Sequence, residues 1–184
     1  MKRLVDIVLS LVALALLWPV LLVTAVAIVL EGGPPVLLRQ TRVGLRGRAF
    51  GMYKFRSMVK DAASIGPYFT AVRDPRITRV GRFIRRTSID ELPQILNVLK
   101  GEMSLVGPRP DVPQQRSNYT EAAWNERCSV RPGITGLSQA LMRSEATEEL
   151  RQATDLRYVR EQSLRLDLRI MWWTIGRLTG RGGN

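Results

Sequence analysis

The chain opens on an apolar block. From Ile7 to Leu30, "IVLSLVALALLWPVLLVTAVAIVL", 24 successive residues carry no charge, and about 20 apolar residues suffice for a helix to cross the hydrocarbon core of a bilayer. The block outruns the apolar region of a signal peptide. It ends in Glu31-Gly32-Gly33-Pro34-Pro35 rather than in a small-residue cleavage site, so it reads as a retained membrane segment. Pro19, near its middle, lacks an N–H and opposes the carbonyl four residues back, which kinks or breaks the helix. Ser10 and Thr24 are the hydroxyls at hand to satisfy freed carbonyls. Two topologies stay open: a kinked spanning helix, or a re-entrant helix–break–helix that enters and leaves on the cytoplasmic side. Lys2 and Arg3 precede the block and Arg39, Arg42, Arg46 and Arg48 follow it. A simple span therefore leaves one basic flank on the disfavoured side.

Beyond the block the pattern shortens. Val36–Gly44 and Ala49–Met58 flank "LRGR" and predict two short strands in a hairpin. Arg73, Arg76, Arg79, Arg82, Arg85 and Arg86 fall mostly three apart, which predicts one helical face turned to an anion, with Gly81 a weak point in the helix. "SIDELPQILNVLKG" reads as a helix start: Ser88 as cap with Glu91 three residues on, Pro93 within the first turn, and a beginning between Ile89 and Leu92. Leu92, Ile95, Leu96 and Leu99 supply its apolar face and Gly101 its end. "MSLVGPRPDVP" (103–113) predicts a short strand entering a rigid loop that presents Arg109; "VRPGITGLSQ" (130–139) predicts a second such loop behind Arg131. Leu164, Leu168, Met171, Trp172, Ile175 and Leu178 repeat at a helical period. That stripe, with Trp172-Trp173 and flanking arginines, serves equally a helix at a bilayer interface or one closing the core.

Composition narrows the chemistry. With 28 Lys+Arg against 16 Asp+Glu in 184 residues, the net charge of +12 favours an anionic partner. There is no histidine, which excludes a Ser-His-Asp triad and a His-ligated zinc. The single cysteine, Cys128, forms neither an internal disulfide nor a Cys-rich metal site, and fits a reducing compartment. Chemistry then falls to Asp, Glu, Lys, Tyr, Ser or Cys128. The pair Asp90-Glu91 beside an arginine cluster draws notice. Acids at a helix start are more often caps than catalysts, yet paired carboxylates also hold a divalent cation, and a carboxylate can attack phosphorus directly.

"KFRSM" (54–58), "RRTSIDELPQILNVLKGEMSLVGPRP" (85–110) and "VRPGITGLSQ" (130–139), in that order behind an apolar N-terminus, resemble the bacterial sugar transferases, the monotopic polyprenyl-phosphate phosphoglycosyl transferases. The likeness extends from the membrane helix to "LDLRIMWWTI" and is to the minimal catalytic members. It implies a mostly helical α+β fold. Residues 1–33 would form a re-entrant membrane helix broken near Pro19. Residues 34–184 would form a cytoplasmic, membrane-associated catalytic domain with a small β-hairpin and short amphipathic interfacial helices. It implies transfer of a phospho-sugar from a UDP-sugar to polyprenyl (undecaprenyl) phosphate, with release of UMP, at the cytoplasmic face of the bacterial inner membrane, as the first step of glycan assembly. Mg2+ is implied, with Asp90 as nucleophile forming a covalent phospho-sugar intermediate, Glu91 supporting it, and both carboxylates at the metal. Lys54, Arg56, Arg85, Arg86, Arg109 and Arg131 are implied as phosphate-binding residues. Gly107, Pro108 and Pro110 frame Arg109 near the nucleotide. Anionic lipids are expected partners and nucleic acid is not; a homodimer is compatible. Trp18 stands where the family usually has serine before the proline, which removes a hydroxyl from the break. "LMRSEAT" (141–147) departs from the family's usual loop and bears on sugar choice. The competing reading is a membrane-tethered protein that binds anionic lipid or nucleic acid through the 73–86 arginines without catalysis. It predicts salt-sensitive binding and gives Asp90-Glu91 no work.

Overall fold

The computed structural model describes residues 1–66, 74–142 and 147–178. The apolar block becomes α1 (Lys2–Gly32), a helix of 31 residues with Pro19 inside it. Straight, it would measure about 46 Å. Both of its ends are bonded to the same body. At the start, Lys2 Nζ pairs with Asp167 at 2.6 Å and donates to the Val106 carbonyl at 3.0 Å. Arg3 donates to the carbonyls of Val98 and Leu99 at 2.6 and 3.0 Å. Asp6 accepts from Ser104 Oγ at 2.9 Å and from the Leu105 N–H at 3.2 Å. At the far end, Glu31 accepts from the N–H groups of Arg79 and Val80 at 2.7 and 3.0 Å, and Arg56 donates to the Gly33 carbonyl at 2.5 Å. From residue 11 to residue 23 no residue is buried.

β1 (Leu37–Val43) and β2 (Ala49–Phe55) form the expected antiparallel hairpin, in register from Leu37↔Phe55 to Val43↔Ala49. A single turn, α2 (Ala62–Ile65), follows, then α3 (Arg79–Arg86). Thr78 caps α3 by accepting from the Gly81 N–H at 2.9 Å, so with Glu31 three of its unpaired first-turn donors are satisfied. After α4 (Ile95–Lys100), ended by Gly101 at φ 84°, come β3 (Ser104–Val106), α5 (Glu121–Arg127), β4 (Gly133–Thr135), α6 (Leu137–Leu141), α7 (Glu148–Glu161) and α8 (Leu164–Leu178). β3 and β4 pair in parallel, Ser104 with Gly133 and Val106 with Thr135. The fold is mostly helical α+β, with a long apolar N-terminal helix and two small sheets. Met52, Val98 and Met103 form one part of the core, and Val106, Leu137, Ala140, Tyr158 and Ile170 another; Leu105 packs against both. Asn97, fully buried, takes the place of a third strand beside β2: it accepts from the Tyr53 N–H at 2.9 Å and donates to the Gly51 carbonyl at 2.8 Å.

Four expectations need correction. The helix expected from Ile89 begins as α-helix only at Ile95, because Pro93 has no N–H to give the Ile89 carbonyl; residues Ile89–Gln94 wind as 3-10. The capping box does not form. Ser88 sits at φ 58° with no side-chain cap bond, and the Glu91 carboxylate is spent elsewhere. The loop expected over 130–139 contains β4 and α6. Arg76 is not an open cation on a helical face: it borders the cleft but is largely buried in a two-pronged pair with Asp74, Nε to Oδ1 at 2.9 Å and Nη2 to Oδ2 at 2.6 Å. Arg73 lies outside the described residues. α8 has one buried face and one exposed apolar face. Asp167 and Ile170 are buried, whereas Leu168, Trp172 and Ile175 are 59%, 75% and 56% exposed.

Gly81 is required by close packing rather than tolerated. A Cβ there would stand 2.0 Å from the Ser57 carbonyl oxygen, which also accepts the Thr78 N–H. Gly81→Ala is therefore expected to destabilise the protein by about 1–3 kcal/mol through overpacking, although helix propensity alone favours alanine by roughly 1 kcal/mol. Thermal unfolding in detergent checks the sign.

Candidate active site

Three segments converge. β2 presents Lys54, the 3-10 turn presents Asp90 and Glu91, and the loop after β3 presents Arg109. The left-handed Ser88 turns the chain between α3 and the 3-10 segment, a conformation that costs a non-glycine residue roughly 1–3 kcal/mol and gathers at functional sites. Glu91 Oε1 accepts from both Lys54 Nζ and Arg109 Nη2, each at 2.8 Å. Burial raises the Glu91 pKa, but Arg109 and Lys54 outweigh it and hold the carboxyl down at about 2. Asp90 differs. It is 8% exposed, and no hydrogen bond reaches its carboxylate among the described residues. Burial pushes its pKa up and the Glu91 charge adds to that, against the pull of Lys54, Arg85 and Arg109. Arg85 is oriented by Ser57, Nε to Oγ at 2.7 Å. These groups line a cleft of about 950 Å³, whose cationic wall also includes Arg39 and Arg42.

The Arg109 loop is fixed from beneath. Gly107, Gly133 and Gly136 let it lie directly on β4: a Cβ on Gly133 would stand 2.1 Å from the Gly107 nitrogen, and one on Gly136 2.3 Å from the Gly107 oxygen. The buried Arg127 guanidinium donates to the Arg109 carbonyl at 2.5 Å and pairs with Asp111 at 3.0 Å and Asp155 at 3.1 Å. Tyr119 OH donates to Asp111 at 2.8 Å and Ser138 Oγ to Asp155 at 2.6 Å. From the hairpin, Arg42 donates to the Pro110 carbonyl at 3.0 Å.

Of the residues expected at the site, Lys54, Arg85, Asp90, Glu91 and Arg109 meet in the cleft. Others do not line it. Arg56 is buried and turned to the end of α1. Arg86 is exposed on α3. Arg131 donates through Nε to the Gly101 carbonyl at 2.8 Å. Gly107, Pro108 and Pro110 act through backbone: the Pro108 carbonyl accepts from Gly133, and that of Pro110 from Arg42. The sequence reading missed Arg42 at the cleft and the Arg127–Asp111–Asp155 cluster below it. Asp111, one residue past the Gly-Pro-Arg-Pro run, was the only local signal. Among the described residues no three His, Cys, Asp or Glu side chains cluster as a metal site. Two carboxylates nonetheless suit Mg2+, which takes one or two and completes its shell with substrate phosphate and water. Both cations use Oε1 of Glu91, and among the described residues no hydrogen bond reaches Oε2 or the Asp90 carboxylate.

A carboxylate whose folded pKa is depressed stabilises the fold above its ordinary pKa, and that stabilisation is lost as pH falls through the folded value. For Glu91 the window runs from 4.5 down to about 2. The stability gap between the native chain and Glu91→Gln is expected to shrink across that window. A gap that stays constant in denaturant titrations at successive pH values contradicts the ion pairing.

Comparison with known proteins bears on this arrangement. Residues 1–181 match the family model described as bacterial sugar transferase. The chain is 45% identical over 188 residues to a UDP-glucose:undecaprenyl-phosphate glucose-1-phosphate transferase of Xanthomonas campestris pv. campestris, covering 98% of this chain and 39% of that protein. It is 44% identical to the exopolysaccharide production protein PSS of Rhizobium leguminosarum bv. phaseoli, covering 95% of this chain and 93% of that one. It is 42% identical to a UDP-N-acetylgalactosamine-undecaprenyl-phosphate N-acetylgalactosaminephosphotransferase of Aeromonas hydrophila, covering 98% and 44%. The chain thus spans less than half of the first and third relatives and nearly all of the second. With a family match along almost its whole length, the chain belongs to the bacterial sugar transferase family.

Proposed function

We propose that the chain transfers a phospho-sugar from a UDP-sugar to polyprenyl phosphate, the reaction class named for its Xanthomonas and Aeromonas relatives. The observation that carries this is the unbonded, desolvated Asp90 carboxylate beside Lys54, Arg85 and Arg109 in one cleft. An Asp90 oxygen attacks the β-phosphorus of the UDP-sugar. The bond from that phosphorus to the oxygen bridging the two phosphates breaks, and UMP leaves with the electron pair. A phosphate oxygen of the lipid then attacks the same phosphorus, polyprenyl diphospho-sugar forms, and the Asp90 carboxylate is released. Neither step requires a base: both nucleophiles are already anions, which suits a chain without histidine. Lys54 and Arg109 supply fixed positive charge where negative charge develops on the transferring group and UMP. Glu91 holds both cations in place and leaves Asp90 unpaired. Asp90 and Glu91 are the residues that would hold Mg2+, which would supply further neutralisation of the diphosphate.

The membrane arrangement follows the same reading. α1 is long and apolar enough to cross a bilayer, by length and composition. Its two bonded ends and exposed middle support a re-entrant path, with Lys2 and Arg39 on the cytoplasmic side. The exposed Leu168, Trp172 and Ile175 of α8 support contact with the bilayer surface.

Asp90→Asn is expected to lower UMP release from a UDP-sugar by roughly 10³-fold or more while leaving the unfolding temperature near the native value; retained activity would sink the nucleophile assignment. Because the attacking group must be ionised and its pKa is raised, the acid limb of kcat/KM is expected above 3.8, the ordinary aspartate value. Single cysteines at positions 2 and 39 are expected to label from the same face of sealed vesicles. Opposite-side labelling would establish a spanning helix instead.

A further inference from the structure

The loop that presents Arg109 is gripped by its oxygens. Pro108 and Pro110 have no N–H to give, and the residue before a proline is confined towards extended backbone. Gly107 gives its N–H to the Thr135 carbonyl at 2.9 Å. Beyond it, the Pro108 carbonyl accepts from the Gly133 N–H at 2.9 Å and the Arg109 carbonyl from Arg127 Nη2 at 2.5 Å. The Pro110 carbonyl accepts from Arg42 Nη1 at 3.0 Å and the Asp111 carbonyl from the Val43 N–H at 2.9 Å. Each carbonyl from 108 to 111 thus has a donor.

Arg127, the last residue of α5, differs from the other donors in reach and in setting. Its Nη2 holds the Arg109 carbonyl and its Nη1 pairs with the Asp111 carboxylate at 3.0 Å, so one guanidinium spans Pro110 and grips both neighbours. Nη2 also lies 3.1 Å from Asp155 on α7. Tyr119 OH holds Asp111 and Ser138 Oγ holds Asp155, and the Tyr119 ring centroid stands 5.5 Å from the guanidinium carbon. Arg127, Asp111 and Asp155 are 6%, 7% and 2% exposed. A group so enclosed has no surface for a substrate, and any part it plays in chemistry passes through what it holds. Buried ion clusters also add little net stability over well-packed apolar side chains. What a guanidinium adds is a planar fork with fixed donor directions. The Arg109 side chain is the opposite case: it is 41% exposed, with Nη2 2.8 Å from Glu91 Oε1.

We infer that Arg127 is a positioning residue for the transfer. By fixing the Arg109 backbone it places the Arg109 guanidinium against Glu91 and against the phosphoryl group that Asp90 attacks. The inference rests on the phosphoglycosyl-transfer reading and adds to it a buried residue that touches no substrate. Misplacing a catalytic group by about 1 Å can cost on the order of 10²-fold in rate. Here the Arg109 head is also restrained by Glu91, so loosening its backbone displaces it only in part and the loss is smaller. Because Arg109 acts on charge that develops during transfer, the loss falls on kcat rather than on KM.

The test uses the full chain in membrane vesicles with undecaprenyl phosphate, Mg2+ and the best used of several UDP-sugars, scored by UMP release. Arg127→Met, which keeps the length and removes the donors, is expected to lower kcat by about 10-fold with KM for the donor little changed. Arg109→Ala is expected to lower kcat further. The double variant is expected to match Arg109→Ala alone, because a residue that acts through Arg109 then has nothing left to place. Losses that multiply overturn the inference. Arg127→Met leaves two buried carboxylates unpaired, which by itself endangers folding. The same measurements are therefore made with Asp111→Asn and Asp155→Asn added, which are expected to bring the unfolding temperature back near the native value while kcat stays low. A kcat that recovers together with the unfolding temperature gives Arg127 a merely structural role and overturns the inference. So does a triple variant that stays unfolded. No UMP release from the native chain with any donor removes the transferase reading, and this inference with it.

Discussion

One oxygen atom, Oε1 of Glu91, receives both Lys54 and Arg109. Through it, a strand, a 3-10 turn and a proline-framed loop, drawn from positions 54, 91 and 109, meet at one point. Removing one partner from a desolvated pair typically costs about 3–5 kcal/mol, because the other charge is left uncompensated. The cost here is divided among three groups, of which Arg109 is the most open to solvent. The arrangement also gives the two acids different surroundings. Glu91 absorbs the nearby cations as ion pairs and titrates far below neutrality. Asp90, one residue away, is buried and without a hydrogen bond to its carboxylate among the described residues, and its pKa rises. Two adjacent carboxylates with opposite shifts are more informative than a pair that titrates alike, because environments that push pKa values apart mark distinct roles.

The loop carrying Arg109 is held from two directions, and one of them leads to the membrane helix. Arg127 holds its carbonyl from below, in a cluster with Asp111 and Asp155. At its start, the Val106 carbonyl receives both Lys2 from α1 and the Tyr158 hydroxyl, each at 3.0 Å. The Tyr158 hydroxyl oxygen also lies 2.7 Å from Asp167, the carboxylate that pairs with Lys2, so its one proton is shared between that carboxylate and the Val106 carbonyl. The first turn of the apolar helix and the entry to the Arg109 loop therefore share one polar network. Docking of α1 and placement of Arg109 are parts of a single packing problem.

What the sequence made legible was local. The hairpin, the end of α4 at Gly101 and the apolar first helix follow from periodicity and breakers, and all three stand in the structure. Lys54, Asp90, Glu91 and Arg109 were recognisable because their motifs are dense. The misreadings were matters of tertiary contact. Ser88 and Glu91 have the spacing of a capping box, but two cations at 2.8 Å outbid a backbone N–H for the carboxylate. Arg56 and Arg131 sit in strongly basic motifs, yet each guanidinium closes on a backbone carbonyl. The parallel pairing of β3 with β4 joins segments some thirty residues apart, and spacing alone does not reveal such a pairing. Arg127 had no local mark; its role comes from the carboxylates that long-range folding brings to it.

α8 shows how little chain is needed to join these parts. At roughly 100° per residue, Asp167, Ile170 and Thr174 fall within about 60° of one another, and Leu168, Trp172 and Ile175 cover a neighbouring sector. The first set enters the Lys2 network, the core and the cleft in turn. The second set is exposed and apolar. A rotation of the helix that buried Trp172 would carry Thr174 away from Thr135 and Asp167 away from Lys2. The exposed stripe is therefore a consequence of how the other face is used.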